Sequence, residues 1–131
     1  MKVYIASRYI KHKKINNQIF NELKKESIDV FLPESININA ISEEEKYKVS
    51  EICYEEIERC DVILLVCPFG KSVSGEAGYA IALKRYVGMK KTIIAFNTDF
   101  KNEAMLYPYV DKEVENIPQL IRYLKSLICN K

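Results

Sequence analysis

Apolar positions change their spacing in blocks along this chain, and each block predicts an element. Lys2-Val3-Tyr4-Ile5-Ala6 is short, nearly continuous and rich in strand formers, so it predicts a first strand. After a Ser7-Arg8-Tyr9 loop, Ile15, Ile19, Phe20 and Leu23 recur at helical spacing among lysines and asparagines, which predicts a helix over about residues 11–26. Ile28-Asp29-Val30-Phe31-Leu32 predicts a second strand, stopped by Pro33. Residues 34–41 have no period and read as a loop. Ser42-Glu43-Glu44-Glu45 has the form of a capping box, in which the serine and the glutamate three residues on satisfy exposed N–H groups at a helix start. Val49, Ile52, Cys53, Ile57 and Cys60 follow as one apolar stripe, giving a helix over about 43–60. Asp61-Val62-Ile63-Leu64-Leu65-Val66 is the most hydrophobic run. Its lack of alternation predicts burial on both faces, as in a parallel sheet.

The second half repeats the rhythm. A Gly/Ser loop around Gly70–Ser74 leads to a helix expected to start near Gly75 and to end by Gly88, with Lys84, Arg85 and Lys90 suited to the negative end of its dipole. Lys91-Thr92-Ile93-Ile94-Ala95-Phe96 predicts a fourth strand. Residues 97–116 are less regular: Tyr107-Pro108-Tyr109-Val110 reads either as cover for the sheet or as a subunit contact, and a short fifth strand is expected near 110–114. Asn116-Ile117-Pro118-Gln119 resembles a helix start, and Leu120, Ile121, Leu124, Leu127 and Ile128 give the closing helix its apolar face. Strands alternating with helices imply right-handed βαβ units. The expected fold is therefore α/β: a flavodoxin-like, doubly wound parallel sheet of about five strands, order 2-1-3-4-5, with helices on both faces and residues 1–131 as one domain. In that order the strand sequence switches sides between strands one and three, the topological switch point of the sheet. The Ser7-Arg8 loop and the Gly70–Glu76 stretch then open into one crevice.

Composition narrows the function classes. Hydrophobic residues at 48% and charged residues at 29% are ordinary for a globular chain long enough to bury a core. A net charge of +2, with basic residues scattered apart from Lys11, Lys13 and Lys14, gives little footprint for a nucleic-acid polymer. No apolar run approaches the roughly 18 residues of a membrane span, and residues 1–10 lack a signal-peptide core, so a cytoplasmic chain with no membrane partner is expected. Cys53, Cys60, Cys67 and Cys129 form no Cys-x-x-Cys pair and have only His12 to join them. They are expected to be small buried hydrophobes in a reducing compartment rather than metal ligands.

The candidate chemistry gathers at the loop after the third strand. Glu76 is expected in the first turn of its helix, where the positive end of the dipole favours a carboxylate, and an ionised, partly buried glutamate can serve as nucleophile or general base. An ordinary first-turn glutamate is the plainer alternative. Gly75 and Gly78 flank it and allow close approach of backbone or ligand. Gly70, Ser72 and Ser74 add a polar loop. Lys71 and Ser72, with exposed helix N–H groups, could hold a phosphate, or could be a solvated lysine and a capping serine. Neither Gly-x-x-x-x-Gly-Lys-Ser/Thr nor Gly-x-Gly-x-x-Gly occurs. Tyr4, near the end of a central strand, could reach the crevice or stay in the core. Arg8 could bind a phosphate or carboxylate bidentately, or be a surface arginine. Asp61 is expected to fix the helix-to-strand turn, and His12 to lie exposed on a basic helix.

Three stretches together, Lys2-Val3-Tyr4-Ile5-Ala6-Ser7-Arg8, Asp61-Val62-Ile63-Leu64-Leu65-Val66 and Ser74-Gly75-Glu76-Ala77-Gly78-Tyr79-Ala80, resemble the nucleoside 2-deoxyribosyltransferase family, which includes deoxynucleoside 5'-monophosphate N-glycosidases. The likeness follows the whole chain in order, with residues 97–131 similar only in layout. It implies a nucleotide-metabolism or salvage enzyme acting on a small nucleoside or nucleotide, with Glu76 attacking C1' of the deoxyribose and Tyr4 orienting it. The sugar then passes to a second base or to water. By the same likeness Ser7, Arg8, Gly70, Lys71, Ser72, Ser74 and Gly75 are substrate-binding, no metal or redox cofactor is needed, and a homo-oligomer (dimer or higher) is expected. The chain departs from the family in two places. Many members carry an Asp eight residues before the acid that opens the third strand; here that position is Cys53, and a thiol does not replace a carboxylate at neutral pH. The polar position six before the glutamate is Gly70. An alternative is therefore a catalytically inactive nucleotide-binding or sensing module of the same fold, and a third reading is an enzyme for another ribosyl substrate.

Overall fold

The computed structural model describes residues 1–36, 42–68, 70–97 and 105–129. Five strands, β1 (Lys2–Ala6), β2 (Asp29–Phe31), β3 (Val62–Val66), β4 (Thr92–Phe96) and β5 (Lys112–Val114), form one parallel sheet in the order β2-β1-β3-β4-β5. Among the described residues four α-helices connect and cover them: α1 (Tyr9–Lys25), α2 (Glu43–Arg59), α3 (Lys71–Ala82) and α4 (Ile117–Cys129). This is the expected flavodoxin-like α/β architecture. Among the described residues no helix is long and apolar enough to cross a membrane.

Strand geometry divides the core in two. Side chains alternate across a strand, so Val3, Ile5, Val62, Leu64, Ile94 and Phe96 pack with Ile19, Leu23, Leu120 and Leu124 of α1 and α4. On the other face Tyr4, Ala6, Ile63, Leu65, Ile93 and Ala95 pack with Cys53 and Ile57 of α2 and Val73, Ala77 and Ala80 of α3. All five residues of β3 are buried, which accounts for its unbroken apolar sequence. The registers Tyr4↔Phe31 and Tyr4↔Ile63 put those three residues side by side on three adjacent strands.

The ends of α2 are fastened differently. At its start the Ser42 hydroxyl accepts from the Glu45 amide at 3.1 Å and the Glu45 carboxylate accepts from the Ser42 amide at 3.0 Å, completing the capping box read from the sequence. At its far end Lys91, only 6% exposed, donates to the carbonyls of Ile57, Glu58 and Cys60. These include last-turn carbonyls that an isolated helix leaves without partners. Burial lowers the Lys91 pKa from the usual lysine range. Asp61 does the structural work expected of it: its carboxylate accepts from the Lys2 amide at 2.8 Å, and its own amide donates to the Lys2 carbonyl at 2.9 Å.

Several boundaries differ from the sequence reading. α1 begins at Tyr9 rather than near residue 11, and β2 is shorter than 28–32. Pro33–Ser35 is a 3-10 turn; the rest of the stretch read as a loop over 34–41 lies largely outside the described residues. α3 starts at Lys71, four residues before the expected Gly75, with Gly70 as its N-cap, and continues after Ala82 as a π-helical turn, Leu83–Val87. Gly88 ends it at φ 76°, a left-handed conformation that glycine adopts without steric cost. Tyr107–Tyr109 is a 3-10 turn, and Leu106, Tyr109 and Val110 cover the α2/α3 side of the core. Cys53, Cys60 and Cys67 are buried as expected, but Cys129 is exposed, because α4 turns its apolar stripe away from that position.

Candidate active site

Glu76 and Tyr4 meet at the α2/α3 face of the sheet. Val73, Ala77 and Ala80 bury one side of α3, and Glu76 lies beside them, half-buried. Tyr4 is fully buried, and its hydroxyl donates to Glu76 Oε1 at 2.8 Å. The Tyr4 ring stacks on Phe31 from β2 with 5.4 Å between centroids, so the phenol is held from the side as well as at its tip.

The early start of α3 changes the electrostatic account of Glu76. It occupies the sixth helical position, not the first turn where the helix dipole acts most strongly. Burial dominates instead and raises the carboxyl pKa to about 7, with the Tyr4 hydrogen bond pulling the other way. Tyr4 is pushed far above the usual phenol range by burial first, then by the neighbouring Glu76 and Cys53. At neutral pH the pair is thus a permanently protonated donor beside a carboxyl close to half ionised.

Cys53 of α2 completes this corner. It is buried in the same cluster as Tyr4. Burial raises its thiol pKa, so it is neutral at physiological pH. The nearby acids of α2 are engaged elsewhere: Glu55 pairs with Arg59 at 3.1 Å, and Glu56 with Lys2 and Arg59. Among the described residues no group of three His, Cys, Asp or Glu is placed to hold a metal ion.

The two loops foreseen at one crevice do come together. Ser7, Arg8, Gly70, Lys71 and Ser72 line a cleft of about 490 Å³ with Tyr9, Ile10, Lys11 and Val73. Lys71 and Ser72 are the first two residues of α3, where backbone N–H groups lack helical acceptors and attract anions. Arg8 crosses close to Gly70: a Cβ there would sit 3.8 Å from Arg8 Nε. Ser74 and Gly75 do not line the cleft. The Ser74 hydroxyl donates back to the Gly70 carbonyl at 3.1 Å, and Gly75 is exposed. Glu76 follows Lys71 by five helical positions, about 7–8 Å along the axis.

Sequence reasoning missed two participants. Phe31 was read only as a strand residue; its register opposite Tyr4 is the signal that would have found it. His12 is half-buried rather than exposed, and its Nδ1 lies 3.3 Å from the Ser7 hydroxyl, with burial and the Arg8 charge lowering its pKa.

No protein-family model matches the sequence, and no curated protein matches it. Solved structures do. A 2-deoxyribosyltransferase from Bacillus psychrosaccharolyticus superposes with a TM-score of 0.73 at 19% identity, over 92% of this chain and 90% of that one. A Clostridium botulinum CMP N-glycosidase, BcmB, gives 0.61 at 17% identity, over 97% and 99% of the two chains. A 2-deoxyribosyltransferase from Leishmania mexicana gives 0.56 at 22% identity, over 75% and 65%. At these identities the likeness establishes a shared fold.

Proposed function

We propose that this chain is a member of the nucleoside 2-deoxyribosyltransferase family and breaks the N-glycosidic bond of a 2'-deoxynucleoside or its 5'-monophosphate. The observation that carries the reading is the Tyr4–Glu76 pair, in which a buried phenol of β1 holds a carboxylate of α3, the helix whose first residues line the cleft. With Oε1 engaged by Tyr4, Glu76 Oε2 attacks C1' of the sugar. The C1'–N bond breaks and its electron pair leaves with the base, giving a glycosyl ester on Glu76. A second base, or water, then attacks C1' and releases the carboxylate. The incoming base or water gives up its proton to the base displaced as an anion in the first step. This is the two-step logic of retaining glycosidases, in which one carboxylate is nucleophile and then leaving group.

The cleft suits the rest of such a substrate. Arg8, Lys71 and the N-terminal amides of α3 supply positive charge and donors for a 5'-phosphate, with Ser7, Ser72 and Gly70 around them. The axial offset from Lys71 to Glu76 is on the scale of a sugar 5'-phosphate. Incubation with deoxynucleosides and their 5'-monophosphates, with and without an acceptor base, followed by chromatography, tests the reading. A new nucleoside means transfer, and free deoxyribose or its phosphate means hydrolysis. Binding without cleavage across the panel would favour an inactive module, for which the neutral Cys53 thiol beside Tyr4 is the motive.

Self-association is part of the same reading. The Arg85 guanidinium lies 5.1 Å from both the Tyr86 and Tyr109 rings, and exposed Val87 and Tyr107 flank these aromatics in sequence. Tyrosine and arginine dominate binding hot spots. Light scattering should give a mass above one chain, and Tyr86→Lys should lower it.

A further inference from the structure

The Ser7 hydroxyl serves two surroundings. Ser7 lines the cleft with Arg8, Lys11, Lys71 and Ser72, and its Oγ lies 3.3 Å from His12 Nδ1. A serine hydroxyl has one proton to give. If Nδ1 carries no proton, it accepts the Ser7 proton, and Ser7 offers only lone pairs to the cleft. If Nδ1 is protonated, it donates to Ser7 Oγ, and the Ser7 proton is released to donate into the cleft. Charge decides between the two. Among the described residues the lining holds the cations Arg8, Lys11 and Lys71 and no acid. The helices that begin there, α1 and α3, have no side-chain cap and no acid in the first turn, whereas the first turn of α2 carries Glu43, Glu44 and Glu45. Without an anion, this positive charge favours lone pairs facing the cleft. An anion favours the Ser7 proton.

We propose that His12 is a positioning residue for an anionic group of the ligand: as the anion binds, protonated Nδ1 donates to Ser7 Oγ, Ser7 donates to the anion, and binding is coupled to proton uptake by the ring. This rests on the 5'-phosphate placement proposed above and adds a residue to it. Where the ring becomes an imidazolium, the added proton comes from water. At higher pH its single proton passes from Nε2 to Nδ1 by exchange with water.

The surroundings of His12 suit such coupling. It is half-buried and itself lines the next cleft, of about 550 Å³, with Cys67, Asn97, Glu115 and Asn116. Burial first, then the charges of Arg8 and Lys11, hold its pKa below the usual value, so the ring is neutral at pH 7 until an anion offsets those charges. The other titratable groups around it are Tyr9 at the start of α1, Lys71 of α3 in the cleft of Ser7, and Cys67 after β3 and Glu115 before α4 in its own. Lys71 opposes an imidazolium as the other cations do, and Glu115 favours one.

His12 is the only histidine of the chain, so nitrogen-15 NMR of histidine-labelled protein reads both ring nitrogens without ambiguity. The probe is inorganic sulfate, a dianion with no proton to release from pH 5 to 9, added to Glu76→Gln so that the titration of Glu76 does not enter. Sulfate should raise the His12 midpoint by about one pH unit and should bring Nδ1 to its protonated signal even at pH 8. By linkage, sulfate should bind about fivefold or more tightly at pH 5 than at pH 8. Adding Ser7→Ala should leave binding through Arg8 and Lys71 but keep less than half of the midpoint shift. Adding His12→Asn, whose amide donates without titrating, should reduce the pH dependence of binding to less than about twofold. Sulfate that binds without moving His12, Nδ1 unprotonated at pH 8, or an undiminished shift with Ser7→Ala overturns the proposal, the last because through-space charge alone would explain it. No sulfate binding removes the anion cleft and the proposal with it. Cleavage assays judge the activity separately. The expected His12 response in a chain that cleaves no glycosidic bond strikes the activity alone, and cleavage of 5'-monophosphates with His12 unmoved strikes the coupling alone.

Discussion

Glu76 carries opposed demands. As the proposed nucleophile it must be ionised, yet its burial favours the neutral form. Rate should therefore rise with pH through about 7 and level off above, and kcat/KM measured from pH 5 to 9 checks this. Tyr4→Phe removes the one hydrogen bond that lowers the carboxyl pKa, so the rise should move to higher pH and kcat should fall about 10- to 100-fold. Glu76→Gln should abolish cleavage. It should also change stability with a definite sign. The folded carboxyl titrates at about 7 and the unfolded one near 4.5, so between those values the folded chain binds more protons and stability falls as pH rises. Above that window the loss is complete. The glutamine variant escapes it, and urea unfolding should find it about 1–3 kcal/mol more stable than the parent at pH 8 and nearly equal at pH 4.

At the scale of elements, α2 and β3 hold the site in place. Lys91→Met keeps much of the apolar stem but leaves carbonyls at the end of α2 without their donor, and urea unfolding should register a loss of about 1–3 kcal/mol. Leu64→Ala in the middle of β3 should cost about 2–5 kcal/mol by the same measurement, because the site is sealed on both faces of the sheet. The two residues differ in how they showed in the sequence. Leu64 stood in an unbroken apolar run, and its burial was plain. Lys91 looked like a strand-leading lysine, since its partners are carbonyls more than thirty residues away and backbone acceptors leave no trace in residue type. The start of α3 was misplaced for a related reason. Gly70 caps it without a side chain, whereas Ser42 announced α2 with a motif. That four-residue error placed Glu76 in a first helical turn and gave it a dipole-stabilised carboxylate, where the structure gives it a burial-raised one.

For the whole molecule, strand order made half the site legible. The apolar runs and their alternation with helices gave the order 2-1-3-4-5, and that order alone brought Ser7 and Arg8 to Gly70, Lys71 and Ser72. What stayed hidden, Phe31 behind Tyr4 and His12 on Ser7, depends on register and rotamer rather than on topology. The cleft's charge lends itself to a comparison between substrates. Arg8→Ala should raise KM for a deoxynucleoside 5'-monophosphate about tenfold or more, while that for the uncharged nucleoside changes less than threefold. Parallel steady-state assays read the difference, and equal effects on both would move the phosphate elsewhere.

The Tyr4–Glu76 bond closes a loop of 72 residues, joining the first strand to the third helix. Loop closure of that span belongs to the slow, non-local class of folding events. During synthesis Tyr4 leaves the ribosome 72 residues ahead of its acceptor, which is made only after β2, α2 and β3. The phenol of the first strand must therefore wait for its acceptor until α3 has followed β2, α2 and β3 out of the ribosome.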